Sequence, residues 1–116
     1  MNELQTIKKK SFNIKLYQEP KLFEEVLIFV GKMNILCNFQ TSESILEAIA
    51  SELTEYLITE ENSKYDTLEN VFNAMKKEIY KKEIFRFSIN TFIVAFNVYL
   101  ENKQNSQKNL PYSHEL

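Results

Sequence analysis

The chain has 116 residues, 44% of them apolar and 26% charged, which is enough for one domain with a single core and is the usage of an ordinary folded protein rather than a disordered one. One glycine and two prolines argue against sandwiches, barrels and doubly wound folds, all of which need turn residues at many corners, and one cysteine excludes an internal disulfide or a thiolate metal cluster. A net charge of −2 does not suit a protein that coats nucleic acid, for which a broad basic surface is expected.

The expected fold is therefore all-α: a single-domain bundle of about four helices over residues 20–103, an N-terminal arm over 1–19 and a disordered C-terminal tail over 104–116. In the arm, "SFNIKLY" sets Phe12, Ile14 and Leu16 in alternation with Asn13, Lys15 and Tyr17. That is a strand pattern with no second strand to pair with, so an extended arm lying on the bundle is preferred to a short helix.

Pro20 suits the start of a first helix, where its missing N–H costs nothing. Leu22, Phe23, Val26, Leu27, Val30, Met33 and Cys37 recur at three and four, and Ile28, Phe29, Ile35 and Leu36 widen the stripe. This helix, through residue 38, is expected to be the central and most buried one. Gly31 inside it suggests the close approach of another helix, and Cys37 is expected to be a small core residue.

A second helix opens at "TSES", with Thr41 or Ser42 as the cap, Glu43 and Glu47 near its positive end, and Ile45, Leu46, Ile49, Leu53, Tyr56 and Leu57 as its apolar face. "EENSKY" breaks it. A third starts at "DTLE", where Asp66 and Glu69 have capping-box spacing, and carries Leu68, Val71, Phe72, Met75 and Ile79. The fourth begins near Ser88 or Asn90 and buries Ile89, Phe92, Ile93, Phe96, Tyr99 and Leu100.

Charge is segregated along the chain. Residues 41–70 hold seven Glu and one Asp against one Lys, while residues 76–86 hold four Lys and one Arg against two Glu. Two candidate contact sets follow. Lys76, Lys77, Lys81, Lys82 and Arg86 could meet phosphates or an acidic partner, with a solvated helix end as the plain alternative. Glu43, Glu47, Glu52 and Glu55 could meet a basic partner. Phe85 and Phe87, beside the basic residues, could stack on bases or anchor the core.

Catalysis is not expected. The only histidine, His114, lies in the predicted tail, and a lone glycine allows no phosphate-cradling loop, so no catalytic, cofactor or metal set is assigned. No window is long and apolar enough for a membrane span, and no apolar leader segment is evident, which together predict a reducing, cytoplasmic location.

From about Phe23 to Leu100 the chain resembles small helical proteins of phages and mobile elements, of the replisome-organiser and helicase-loader type. The resemblance rests on "YDTLENVFNAM", an amphipathic helix containing Ala74, and on "NTFIVAFNVYLENK", an asparagine-led helix with an aromatic face and a late tyrosine, here Asn90 and Tyr99. It departs at "KKEIFRF", which lacks the glycine often found at this junction. The resemblance implies an adaptor in DNA replication inside a bacterial host cell, with a helicase or initiator as protein partner. An inhibitor of a host protein acting through the acidic helix, and a structural virion component, are the alternatives; a second copy of the chain is a further candidate partner.

Overall fold

The computed structural model describes residues 12–84 and 86–108. Four helices make the fold: α1 (Glu19–Leu36), α2 (Glu43–Thr59), α3 (Leu68–Tyr80) and α4 (Ile89–Lys108). Among the described residues there is no strand, only an isolated antiparallel bridge between Asn13 and Thr67. Helix α1 packs on α2, α3 packs on α4, and α4 also packs on α2.

The two hairpins close on an aromatic core. Phe29 of α1 stacks on Phe72 of α3 at 4.2 Å between ring centroids and meets Phe92 of α4 edge-on at 5.8 Å, while Tyr56 of α2 meets Phe96 edge-on at 5.5 Å. Such pairs add about 0.5–1.5 kcal/mol each beyond their burial. Of the expected core, Val30, Ile49, Leu53, Met75, Phe92 and Phe96 are buried, and Phe23, Leu27 and Phe72 are half-buried against it. Ile93 is half-buried.

Helix α1 holds six buried residues, more than any other helix among the described residues, but its wider stripe is not covered all round. Three of the four residues that widen its stripe, Ile28, Ile35 and Leu36, are 61%, 74% and 52% exposed, and a Cβ built at Gly31 would meet no atom within 4 Å. Among the described residues no other helix approaches there. Periodicity correctly marks Leu22, Val26, Val30 and Met33 as buried, and of the widening residues Phe29 is buried too while the other three point outward.

Helix ends follow local chemistry. Asn38, at φ 66°, takes the left-handed position after α1, so its N–H reaches the Ile35 carbonyl at 3.0 Å and the Phe39 N–H reaches that of Asn34 at 2.9 Å. This paired termination is the Schellman motif, with asparagine where glycine is commoner. Cys37 is the cap residue there, half-buried and packed against the core, and burial pushes its thiol pKa up. Ser42 occupies the cap position of α2 and its carbonyl accepts from the Leu46 N–H at 3.0 Å, but its hydroxyl caps no backbone N–H and meets that of Ser44 instead, at 3.4 Å. Helix α3 is capped by Thr67, whose Oγ1 accepts from the Asn70 N–H at 3.2 Å, and not by Asp66.

Residues 1–11 of the expected arm lie outside the described residues; from residue 12 it finds its partner in the α2–α3 turn rather than in a strand. The Ile14 and Lys15 N–H groups donate to the Asp66 and Lys64 carbonyls at 3.0 and 3.1 Å, and the Leu68 N–H donates to the Phe12 carbonyl at 3.2 Å. Ile14 is buried, at the start of a short 3-10 turn (Ile14–Leu16), while Phe12 and Leu16 stay exposed. At the other end, α4 runs through Lys108, so residues 104–108 of the expected tail are helical; the rest of that expectation lies outside the described residues.

Candidate protein-docking groove at the helix joint

The four glutamates of the acidic set are all exposed on α2. Glu43 and Glu47 lie one turn apart, as do Glu52 and Glu55, but at about 100° per residue the two pairs sit on different sides of the helix. They do not form one acidic face.

The five basic residues also separate. Lys76 borders a groove of about 360 Å³ between α1 and α3, together with Lys32. Lys77 and Lys81 border a second, between α3 and α4, with Lys103. Lys82 and Arg86 border a third, of about 370 Å³, where the end of α3, the joint and the first turns of α4 meet. Lys81 is paired with Glu78 at 3.2 Å.

The third groove is built by the joint itself. Helix α3 ends as the Lys81 N–H donates to the Lys77 and Glu78 carbonyls, both at 3.3 Å, and the Lys82 N–H to that of Ile79 at 3.2 Å. Helix α4 begins with a reciprocal cap. Ser88 Oγ accepts from the Asn90 N–H at 3.3 Å, Thr91 Oγ1 accepts from the Ser88 N–H at 3.2 Å, and the Thr91 hydroxyl donates to the Arg86 carbonyl at 3.3 Å. Threonine here fills the role glutamate has in a capping box.

Between the two caps Phe87 turns inward. It is 7% exposed, meets Phe92 edge-on at 5.5 Å and lies 5.5 Å from Phe39, so it anchors the core and is no stacking platform. Phe85 lies outside the described residues. With the joint anchored this way, Ile79, Ile84, Val94 and Val98 line an apolar channel, and Lys82 and Arg86 are both exposed beside it. Glu78 and Glu83 also line it. An apolar floor bordered by both cations and carboxylates suits an amphipathic segment of mixed charge.

A second polar cluster went unforeseen. Asp66, expected to cap α3, accepts instead from the Tyr99 hydroxyl of α4, from the Asn70 side chain at 3.3 Å and from the Thr67 N–H at 3.0 Å, with Lys103 Nζ 3.5 Å away. Lys103 also donates to the Asn62 carbonyl at 3.0 Å. Burial raises the Asp66 pKa, but the Tyr99 and Asn70 hydrogen bonds, the Lys103 charge and the Thr67 N–H outweigh it, and the net shift is downward. Burial first, then the adjacent carboxylate, pushes the Tyr99 phenol well above its ordinary range. Each group thus holds the other in its bonding form. Tyr99 was legible only as an apolar-face residue of α4, and nothing in the sequence pairs it with a residue 33 positions away.

No family model matches the chain, and neither a curated protein nor a solved structure does.

Proposed function

We propose that the chain is a non-enzymatic adaptor of phage or mobile-element DNA replication, acting in the bacterial cytoplasm by binding a helicase or initiator through the groove at the α3–α4 joint. The observation that carries this is the groove's composition: an apolar floor of Ile79, Ile84, Val94 and Val98 bordered by the cations Lys82 and Arg86 and the carboxylates Glu78 and Glu83. The resemblance of the two flanking helices to replisome organisers and helicase loaders supplies the class of partner. Direct DNA binding has less support, because the basic residues are divided among three grooves and one of them is already paired. The inhibitor alternative has less support too, since the glutamates of α2 point to different sides. Among the described residues no helix is long and apolar enough to cross a membrane.

Calorimetric titration of a replication helicase or initiator into the purified chain tests the adaptor role. Val94→Glu places a charge on the channel floor at a 44% exposed position, where the fold tolerates it. It should weaken binding at least tenfold, and Lys82→Glu with Arg86→Glu should do the same in a salt-dependent way. Lys77→Glu, on another groove, should leave affinity within twofold. Equal affinity for all four proteins would remove the groove from the account.

A further inference from the structure

Among the described residues the outward face of α1 stays exposed: Lys21 pairs with Glu24 along it at 3.4 Å, and Ile28 and Lys32 border the α1–α3 groove. Lys21, Glu24, Ile28, Lys32 and Ile35 follow one another at spacings of three and four and so form one line along the helix. Ile28 and Ile35 are its most exposed apolar residues, Leu36 extends it, and Gly31 borders it with no atom within 4 Å of where a Cβ would stand. An open glycine between two exposed isoleucines permits another backbone to come close, and the fold supplies none.

The charges on this line specify the occupant. Acid stands one turn before Ile28, at Glu24, and base one turn after it, at Lys32. If a second α1 is laid antiparallel about a twofold axis through Ile28, Glu24 faces the partner subunit's Lys32, and the symmetry repeats the pair on the other side. Ile28 meets its own copy, and the methylene stem of Lys21 covers the partner subunit's Ile35. A parallel arrangement would set Glu24 against Glu24 and Lys32 against Lys32. The seam is thus self-complementary only in the antiparallel sense, which is what an isologous interface requires.

We propose that this face is a homodimer interface, formed by antiparallel pairing of α1 with α1 of a second copy. It stands apart from the joint groove, which lies on α3 and α4, so dimerisation would leave both grooves open and make the adaptor bivalent. A seam about 27 Å long and about 11 Å wide covers on the order of 300 Å² per subunit, well under the ~800 Å² of a standard interface. The dimer is accordingly weak and concentration-dependent.

Sedimentation velocity of the full chain from about 10 µM to about 1 mM tests this. The expected result is a rise from monomer toward dimer over that range. Ile28→Glu should shift the midpoint at least tenfold to higher concentration with unchanged helical circular dichroism, because the position is exposed. Glu24→Lys and Lys32→Glu should each weaken association, and the double reversal should restore it to within about twofold of the original. A chain that stays monomeric at 1 mM, a dimer indifferent to Ile28→Glu, or a double reversal no better than the single ones would each overturn the proposal. A hydrophobic face that serves some other partner gives the first of these results.

Discussion

Tyr99→Phe removes one hydroxyl and leaves the ring, which is 9% exposed and stacks on Phe96 at 5.8 Å, in place. The carboxylate of Asp66 then keeps the Thr67 N–H and the Asn70 amide on one oxygen and only Lys103, at 3.5 Å, on the other. A hydrogen bond to a charged group contributes about 1.5–3 kcal/mol. The Asp66 side chain is 20% exposed, so water replaces part of the loss and the lower end, about 1.5 kcal/mol, applies. With an unfolding entropy of about 2.1 cal/mol/K per residue, that corresponds to a melting temperature about 6 °C lower.

The pH dependence carries a second signature. The folded-state pKa of Asp66 lies below the unfolded value, so its contribution is present above the ordinary carboxylate range and fades as pH falls through the depressed value. Tyr99 is the opposite case: its raised pKa gives a contribution present below about pH 10 and lost as pH climbs toward the folded value. Thermal melts followed by circular dichroism should show the gap between wild type and Tyr99→Phe constant from pH 5 to 9 and narrower below about pH 4 and above about pH 10. A gap under 1 °C at pH 7, or one that persists unchanged at pH 2, refutes this reasoning.

Phe87→Ala should cost about 3–5 kcal/mol in urea unfolding, since the ring is enclosed by Phe39 and Phe92; a loss below 1 kcal/mol would mean that it is not an anchor. Gly31→Ala should stabilise by about 0.5–1 kcal/mol when measured at a few micromolar, because a methyl there clashes with nothing and the helix gains propensity. Asn38→Gly should raise stability by up to about 1 kcal/mol, given the left-handed backbone at that position, and a decrease would show that the asparagine side chain matters to the cap.

What the sequence made legible is what local physics determines. The four helices follow from three-four spacing of apolar residues, and the start of α4 near Ser88 or Asn90 from their place at the head of that pattern. Residues whose fate depends on distant chain were not legible. Ile28 and Ile35 have the same chemistry as Val26 and Val30, and only the packing of α2 and α3 decides which side of α1 is covered. Asp66 has the local setting of a cap residue, yet the turn carries it to Tyr99 and leaves capping to Thr67. The basic cluster is compact along the chain but winds from α3 round the joint, so its members face three grooves. Phe87 could stack on bases, but its place beside a helix junction favours a core anchor, and the ring is buried.

The central claim is that the joint groove receives a replication protein, and amide chemical-shift mapping tests it most directly. Isotope-labelled chain is titrated with the unlabelled helicase or initiator segment, and the perturbed residues are located. The account predicts saturable shifts concentrated at Ile79, Ile84, Val94, Ala95 and Val98, with the outward face of α1 unchanged. Shifts centred on α2 around Glu52 and Glu55, or no shifts at millimolar partner, would contradict it.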